Sequence, residues 1–316
     1  MKVSYDLTPG QQPSAVALGN FDGLHIGHGR VIASAVEEKA NGLVPTVVTF
    51  AANPLTDLGG TAGGEIITRE EKIRLLKEMG VEQLYILEFA AVKDLSPEDF
   101  VAEVLEKVCR AKTVCCGFNF TFGRGGRAGS EALARLCGRR GMRTVVSPAV
   151  LIDGEPVSST RIRSMIAEGD VDGAARLLGR PYGYRSPVRH GRRLGRELGT
   201  PTLNQSIPKD FVLPLFGVYV SRVILAGRVY AGVTNVGIKP TVGSPCALAE
   251  TWMPDYHGPD FYGRVVQVDL LRFLRREMKF SGLSELKRAI IKDGEEAKAF
   301  LARNENWILY KTGGRN

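Results

Sequence analysis

The stretch GNFDGLHIGHGRVI at residues 19–32 constrains the fold of this chain more than any other. It follows an apolar run at Ala15–Leu18 and leads into a helix-patterned run that reaches about Ala40. This order predicts a strand, a glycine-rich turn and a helix. A turn between a strand and a helix leaves unpaired backbone N–H groups beside the positive end of the helix dipole. The stretch therefore predicts a site for a phosphate group.

Glycines and histidines recur within this turn. Gly19, Gly23 and Gly27 lack the Cβ atoms that would hold a ligand away from the backbone. His25 and His28 are three residues apart where the helix begins, so both imidazoles can face one bound group. The alternatives are an ordinary loop with surface histidines, or a metal pair, for which no cysteine or carboxylate stands at zinc spacing. We interpret the two histidines as part of the phosphate site.

The bulk composition predicts a soluble protein of two domains. With 316 residues and 44% apolar content, the chain is long enough for two hydrophobic cores. Its first residues contain no apolar core of signal-peptide length, and no run approaches the ~18 apolar residues of a membrane span. The cysteines are odd in number and form no C-x-x-C pair, so we expect a reduced, cytoplasmic protein without a membrane partner. They are Cys109, Cys115, Cys116, Cys137 and Cys246.

The net charge of +8 raises the question of nucleic-acid binding, because polyphosphate backbones attract lysine and arginine. The arginines gather in short loops, such as GRGGRAG at residues 123–129 and RHGRRLGR at residues 189–196. No long basic helix and no interleaved aromatic stripe accompanies them. We therefore expect small anionic ligands such as nucleotides, and no nucleic-acid partner.

Strand and helix patterns alternate through the first half of the chain. This alternation predicts an α/β fold with a parallel sheet covered on both faces. Thr68–Glu71 has the spacing of a capping box, and Ser96-Pro97 opens a helix predicted to run through Arg110. Ligands of such sheets bind at the carboxyl ends of the strands, which here include Phe50 and Gly117. The predicted strands are Ser14–Leu18, Pro45–Phe50, Gln83–Phe89, Lys112–Gly117 and Arg143–Pro148.

The segment CGFNFTFGRGGRAG, residues 116–129, carries a further candidate site. Asn119 can form a hydrogen bond with a ligand, while Phe120 and Phe122 alternate with polar positions. The glycine- and arginine-rich loop that follows could fold over a phosphate. The alternative is a hairpin with buried aromatic side chains.

The segment VSSTRIR, residues 157–163, begins another predicted helix. Ser159 and Thr160 offer hydroxyl groups at its start, and Arg161 and Arg163 place cations nearby. This is a second helix N-terminus suited to an anion. A well-capped helix with surface arginines is the alternative.

The pattern changes after a turn-rich passage at Gly179–Pro187, where we place the boundary between domains 1–182 and 183–316. Four strands are predicted beyond it, and a helical pattern returns near Ser284 and is broken at Asp293-Gly294. Antiparallel strands followed by terminal helices predict a small β-barrel. The strands are Gly217–Ile224, Val229–Thr234, Leu248–Met253 and Val265–Phe273.

The segment HGRRLGRELGTPTLN, residues 190–204, begins the chemistry of the second half. Gly191, Gly195 and Gly199 recur every four residues among arginines, which would let a loop place N–H groups over a polyphosphate. The side-chain oxygens of Thr202 and Asn204 could hold magnesium.

Several of these segments resemble motifs of known families. The first turn, G-x-F-D-G-x-H-x-G-H at residues 19–28, resembles the signature of nucleotidyltransferases. The segment at residues 116–129 resembles the G-x-D/N-F-x-F-G segment of bacterial FAD synthetases, and residues 158–163 resemble the S-S-T-x-I-R segment of the nucleotidyltransferases. PTLN at 201–204, NVGIKPT at 235–241, ETWMPDY at 250–256, FYGR at 261–264 and LRREMKF at 274–280 resemble riboflavin kinase motifs. Over nearly its whole length the chain resembles the bacterial bifunctional riboflavin kinase/FAD synthetases.

This resemblance implies a Rossmann-like nucleotidyltransferase domain followed by a riboflavin kinase barrel. The barrel would phosphorylate riboflavin with ATP to give FMN, and the first domain would adenylylate FMN with a second ATP to give FAD. His25, His28 and Arg161 would stabilise charge on the phosphates, Glu250 would accept the proton of the ribityl hydroxyl, and Mg²⁺ would bridge the phosphates. The remaining implied contacts are with the nucleotide (Gly19, Phe21, Asp22, Gly23, Gly27, Ser159, Thr160, Arg163, Gly191, Gly195, Gly199), the flavin (Asn119, Phe120, Phe122, Arg275, Glu277) and magnesium (Thr202, Asn204).

The chain departs from the family pattern at a few positions. Ala52 and Asn53 stand where a Pro-His pair is usual, and Asn53 is only a candidate contact because an amide carries no charge. Thr200 and Leu203 change the G-F-P-T-A-N pattern, and Trp252 replaces a usual histidine. Loss of activity in one half, or a flavin carrier or nucleic-acid-binding regulator on the same scaffold, remain alternatives. The sequence leaves the oligomeric state open.

Overall fold

The structure is a computed structural model that describes residues 1–52, 63–190, 200–208, 210–239 and 246–304. It divides into two compact units, Met1–Ser159 and Thr160–Asn316. The predicted contacts Asn53, Gly191, Gly195 and Gly199 lie outside the described residues.

In the described part of the first unit, a parallel six-stranded sheet forms the centre. The strand order is β1-β4-β3-β2-β5-β8, and every pairing is parallel. Strand β2 lies between β3 and β5, so the order along the sheet reverses beside β2, which is the place where such sheets bind ligands. The strands are β1 (Lys2–Ser4), β2 (Ser14–Leu18), β3 (Val44–Phe50), β4 (Gln83–Leu87), β5 (Ala111–Gly117) and β8 (Arg143–Ser147).

The prediction of a parallel α/β sheet is therefore confirmed, and the five predicted strands lie within two residues of their observed bounds. All five residues of β2 are buried, which explains why it reads as a continuous apolar run. Strand β1 was not predicted, because three residues are too short for a pattern. The other strands described in this unit form two short antiparallel hairpins: β6 (Thr121–Phe122) with β7 (Ala128–Gly129), and β9 (Leu151–Ile152) with β10 (Glu155–Pro156).

Two helices of the first unit begin at the predicted caps, Thr68 and Ser96. Helix α1 (Ile26–Glu37) continues as a short 3₁₀ helix to Asn41, and α2 (Arg69–Glu78) starts where Thr68 Oγ1 accepts a hydrogen bond from Glu71 N at 3.2 Å. Helix α3 starts at Pro97–Asp99, capped by Ser96, and continues as a π-helix over Phe100–Val108. It ends before Arg110, which adopts a left-handed conformation (φ 51°) that a helix does not accommodate. Helix α4 spans Ser130–Gly138.

An antiparallel six-stranded sheet forms the second unit within the part of the chain described. Its order is β11-β16-β13-β14-β15-β12. The strands are β11 (Tyr182–Pro187), β12 (Thr202–Ser206), β13 (Gly217–Leu225), β14 (Arg228–Lys239), β15 (Cys246–Trp252) and β16 (Val265–Arg275). The helices are α5 (Ser159–Glu168), whose first residue belongs to the first unit, α6 (Val171–Leu178) and α7 (Leu283–Arg303).

The two outer strands of this sheet meet and close it. Arg189 N donates to Asn204 O at 2.8 Å, just beyond the end of β11. Ser186 Oγ donates to Ser206 O at 3.0 Å, and the buried Gln205 amide donates to Ser186 O at 2.6 Å. These contacts join the two edge strands of the sheet, and the predicted β-barrel is confirmed.

Two predictions in this half are wrong, and both concern glycines. Residues Tyr182–Pro187 form strand β11 rather than a turn, because Gly183 makes room for the carboxylate of Asp269 on the paired strand. Helix α7 runs unbroken through Asp293-Gly294, because Gly294 is buried against the ring of Trp252. A glycine that permits close packing looks the same in a sequence as one that ends an element.

In the described parts of the chain, no helix combines the length and the apolar character required to cross a bilayer.

A buried ion pair connects β13 to β16 and gives a prediction. Arg222 and Asp269 are opposite each other in the register, both almost fully buried, with Nε to Oδ2 at 2.7 Å. Asp269→Ala leaves the guanidinium buried without this partner, so we expect the free energy of unfolding of the barrel to fall by about 3–5 kcal/mol. Urea unfolding followed by Trp252 fluorescence in a Trp307→Phe background measures it.

Glu295→Ala is the matched control, because it removes the exposed pair with Lys298 on α7. Exposed pairs contribute little, so this change is expected to stay within about 0.5 kcal/mol of the parent protein. An unchanged urea midpoint for Asp269→Ala would contradict the assignment.

Candidate active sites

The turn after β2 has an unusual backbone. Phe21 (φ 51°), Gly23 (φ 79°) and Leu24 (φ 42°) all lie in the left-handed region, around a single 3₁₀ turn at Asp22–Leu24. For residues with bulky side chains, such as Phe21 and Leu24, this conformation costs of order 1–2 kcal/mol each. The turn is therefore strained, and contacts from the rest of the unit must hold it.

The two histidines of the turn are brought together as predicted. The rings of His25 and His28 stack with centroids 3.5 Å apart and planes 16° apart, and Phe21 packs edge-on against His28 at 5.3 Å. His25 is the N-cap of α1, and its Nδ1 accepts a hydrogen bond from His28 N at 3.2 Å. Because Nδ1 accepts, the donor nitrogen of the His25 ring is Nε2. His25 is only 6% exposed, whereas His28 is half-buried.

The three glycines of the turn fit the protein's own side chains. A Cβ at Gly19 would lie 2.9 Å from the Phe21 ring, and one at Gly27 would lie 3.2 Å from the His25 ring. Gly23 faces Ile66 at 3.0 Å as well as having a positive φ. Sequence reasoning assigned these glycines to ligand approach and did not foresee this packing.

Four hydrogen bonds fix the carbonyl and carboxyl groups of the turn. The carbonyl of Asn20 accepts from Thr49 Oγ1 at 2.8 Å and from Lys72 Nζ at 3.2 Å. The carboxylate of Asp22 accepts from Ile66 N at 3.0 Å, and its carbonyl accepts from Ser159 Oγ at 2.9 Å. Asp22 is 3% exposed, so its carboxylate acts inside the protein.

Lys72 was not singled out from the sequence. It lies on the buried face of α2 with Leu76, four residues on, and is 5% exposed. Burial lowers the pKa of Lys72 below its usual value, while the charges of Glu65 and Asp22 act in the opposite direction. A lysine four residues from a buried leucine is the only sequence signal of this position, and it is a weak one.

The segment after β5 is the hairpin of β6 and β7. Phe122 is 5% exposed and packs against Phe100 of α3 at 5.5 Å, while the half-buried Phe120 stacks on Phe122 at 5.8 Å. Asn119 is exposed beside the carboxyl end of β5, with Oδ1 near Gly117. The two rings therefore lie on the same side of the hairpin, with Phe122 in the core and Phe120 half-buried above it.

Helix α5 begins at the turn through Ser159, whose hydroxyl donates to Asp22 O. Thr160 is exposed, and Arg161 and Arg163 are half-buried in the first turn of the helix. These three residues belong to the second unit.

Three polar residues stand side by side on adjacent strands of the barrel. Glu250 on β15 is paired in register with Asn204 on β12 and with Asn235 on β14. Residues opposite each other share a face of the sheet, so the three side chains project from the same face. One pair further along, Thr202 and Val233 flank Trp252 on this face. Sequence reasoning assigned roles to Glu250, Asn204 and Thr202 but assigned none to Asn235.

A hydrogen bond and an ion pair orient the residues around this row. Asn235 Nδ2 donates to Glu277 Oε1 at 3.1 Å, and this bond joins two segments 42 residues apart. Arg275 forms an ion pair with Asp293 of α7, with Nη2 to Oδ2 at 2.7 Å, and lies over the Phe280 ring. Arg275 is therefore positioned by α7, while Glu277 is positioned by Asn235, the neighbour of Glu250.

One oxygen in the row is buried with no hydrogen-bond partner in the described structure: Oδ1 of Asn235. The neighbouring groups, the Glu250 carboxylate, the Asn204 amide and the Thr202 hydroxyl, add further oxygen atoms. A hard cation such as Mg²⁺ prefers such oxygen donors. The donor set thus fits magnesium.

Comparison with known proteins matches each half to one family. Residues 8–161 match the FAD synthetase family, and residues 178–301 match the riboflavin kinase family. The two matches follow the same order as the two units.

Curated relatives match the whole length. The bifunctional riboflavin kinase/FMN adenylyltransferase of Bacillus subtilis is 35% identical over 297 residues, covering 91% of this chain and 92% of that protein. The Escherichia coli K12 protein of the same name is 33% identical and covers 92% and 93%. A crystal structure of a protein described as a macrolide-efflux protein from Streptococcus pneumoniae is 30% identical, with a TM-score of 0.86 over 94% of this chain and 99% of that one.

Proposed function

Because the chain belongs to the family of bifunctional riboflavin kinase/FMN adenylyltransferases, we propose that the two residue sets described above carry out its two reactions. The second unit phosphorylates riboflavin with ATP to FMN, and the first adenylylates FMN with ATP to FAD, releasing pyrophosphate. The observation that carries the residue assignment is that His25 with His28, and Glu250 with Asn204, come together in the unit that matches each activity.

Adenylyl transfer needs alignment more than a strong base, because the phosphate of FMN is already an anion near neutral pH. The N–H groups at the start of α1, with His25 Nε2 and His28, would bind the α-phosphate and the departing pyrophosphate. Arg161 and Arg163, with Ser159 and Thr160, would supply further contacts to the triphosphate. Gly19, Phe21, Asp22, Gly23 and Gly27 would shape the turn that holds the histidines.

For the flavin of FMN, Asn119 and Phe120 are the proposed contacts. The exposed Asn119 offers a hydrogen bond, and the half-buried Phe120 offers a ring face. Phe122 is buried against Phe100, so its contribution is to support Phe120.

In the kinase barrel, Glu250 would orient the primary hydroxyl of riboflavin and accept its proton as the bond to the γ-phosphate forms. Its place between Asn204 and Asn235, which strand pairing sets on either side of it, supports this role. Glu277 would act near the flavin through Asn235, and Arg275 would be fixed by Asp293. Gly191, Gly195 and Gly199, which precede β12 in the sequence, are proposed contacts to ATP.

The oxygen-rich row of the barrel is the proposed magnesium site, with Thr202 and Asn204 as ligands. Bound magnesium would neutralise charge on the phosphates of ATP during transfer. The protein's own residues orient these oxygens, and the unpartnered Oδ1 of Asn235 supports a cation beside them.

We propose a domain boundary at residues 182/183, at the start of β11. The family matches leave residues 162–177 between them, which contain most of α5 and α6.

A cytoplasmic location is proposed from the cysteines. Four of the five are unpaired and buried, and burial raises the pKa of the Cys115 thiol to about 12, so these thiols suit a reducing compartment.

Because His25 and His28 lie in one unit and Glu250 lies in the other, a mutation at either place is expected to affect only one of the two reactions. His28→Ala is expected to lower FAD formation from FMN by about 100-fold or more while sparing riboflavin phosphorylation. Glu250→Ala is expected to lower riboflavin phosphorylation by about 100-fold or more and to spare FAD formation from supplied FMN. Chromatographic separation of the flavins measures both rates in each variant.

His257→Ala and Glu296→Ala are the matched controls, since both residues are exposed. Both variants should keep both activities. Equal loss of the two activities in His28→Ala or in Glu250→Ala would contradict the proposed sites.

The magnesium assignment predicts a selective change in metal dependence. Asn204→Ala is expected to raise the magnesium concentration for half-maximal kinase activity by about 10- to 100-fold. The magnesium dependence of FAD formation should not change. Ser206→Ala, two residues further along the same face of β12, is the control. An unaltered kinase titration in Asn204→Ala would remove Asn204 from the metal site.

A further inference from the structure

Helix α2 has a lysine at a position that packing alone would give to an apolar residue. Lys72 and Leu76 are the buried residues of this helix, and the Lys72 side chain enters the first unit beside the turn after β2. Taking an ammonium group out of water costs several kcal/mol after relaxation. A methionine of similar length would fill the same space without that cost, so the charge of Lys72 needs a reason.

The contacts of Lys72 lead to the strained turn. Its Nζ donates to the carbonyl of Asn20, the residue directly before the left-handed Phe21. The charges of Asp22 and Glu65 favour the ammonium form. Left-handed conformations of bulky residues persist only where surrounding contacts hold them. Among the hydrogen bonds that Asn20 and Asp22 accept from Thr49, Lys72, Ile66 and Ser159, the one from Lys72 has a charged donor.

The position of His25 follows from the same turn. Leu24, left-handed at φ 42°, directly precedes His25, which caps α1 and stacks on His28. A rotation of the peptide between Asn20 and Phe21 would therefore shift the backbone that leads to His25 and so displace the His25 and His28 rings. Phe21, at the other side of that peptide, also packs against His28.

We propose that Lys72 is a positioning residue for adenylyl transfer, which holds the turn through the Asn20 carbonyl and so fixes the stacked His25 and His28 rings. This rests on the proposed function of the two histidines. Lys72 does not touch the reacting atoms in this role. Its ammonium group offsets the strain at Phe21 and Leu24 and keeps the site preorganised before ATP binds.

Lys72→Met removes the charge and the hydrogen bond but keeps the length and apolar stem of the side chain. Lys77→Met is the matched control, because Lys77 is an exposed lysine in the last turn of the same helix. The chain has four histidines, His25, His28, His190 and His257, so their ring signals can each be assigned in an NMR spectrum of ¹³C-histidine-labelled protein.

In the ligand-free protein we expect Lys72→Met to shift the ring signals of His25 and His28 while those of His190 and His257 stay in place. Lys77→Met should leave all four unchanged. Ring stacking at 3.5 Å makes the two signals sensitive to small displacements, so this readout does not depend on turnover.

Kinetics provide the second readout. We expect kcat for FAD formation from FMN to fall about tenfold in Lys72→Met, with a smaller change in the KM for ATP, because the loss is in transition-state stabilisation. Riboflavin phosphorylation by the same variant should remain within about twofold of the parent protein.

Three results would overturn the proposal. Unmoved His25 and His28 signals with unchanged FAD formation would show that the turn does not need Lys72. Unmoved signals with a raised KM for ATP would make Lys72 a direct ligand of the nucleotide. Shifts of all four signals with loss of kinase activity would show a general role in stability. A parent protein that makes no FAD would contradict the proposed function, while the ring signals would still test the link between Lys72 and the histidines.

Discussion

The hydrogen bonds to Asn20 and Asp22, on either side of the left-handed Phe21, are the constraint on which the proposed adenylyl-transfer site depends. They come from β3, from the backbone of Ile66, from α2 and from the start of α5, so four separate segments hold one short turn. Without them the left-handed Phe21 and Leu24 would relax, and the helix that begins after His25 would lose its fixed starting point. The site is thus a property of the whole first unit, although its motif spans only ten residues.

In the proposed kinase site, strand register provides the preorganisation. Antiparallel pairing sets Asn204, Glu250 and Asn235 side by side, and a slip of one residue would turn Glu250 to the opposite face. Closure of the barrel through Ser186, Gln205 and Ser206 secures the outer strand that carries Asn204. The two proposed sites are therefore fixed in different ways. A strained turn positions the side chains in the first unit, and a closed sheet positions them in the second.

The fold was largely predictable from the sequence, because buried strands contain apolar runs such as Ala15–Leu18 and helix caps such as Thr68 have a recognisable spacing. The paired histidines were readable for the same local reason. Contacts between distant segments were not: Lys72 lies 52 residues from Asn20, and Glu277 lies 42 residues from Asn235. Gly183 and Gly294 were misinterpreted because their purpose, room for Asp269 and Trp252, is visible only after folding.

If one chain carries out both reactions, the FMN made by the barrel is the substrate of the first unit. The most direct measurement incubates the purified protein with riboflavin, ATP and magnesium and follows riboflavin, FMN and FAD by chromatography over time. The account predicts that FMN rises first and that FAD follows at its expense. FMN that accumulates without conversion, or supplied FMN that is converted while riboflavin stays untouched, would contradict it, because only one of the two sites would then be active.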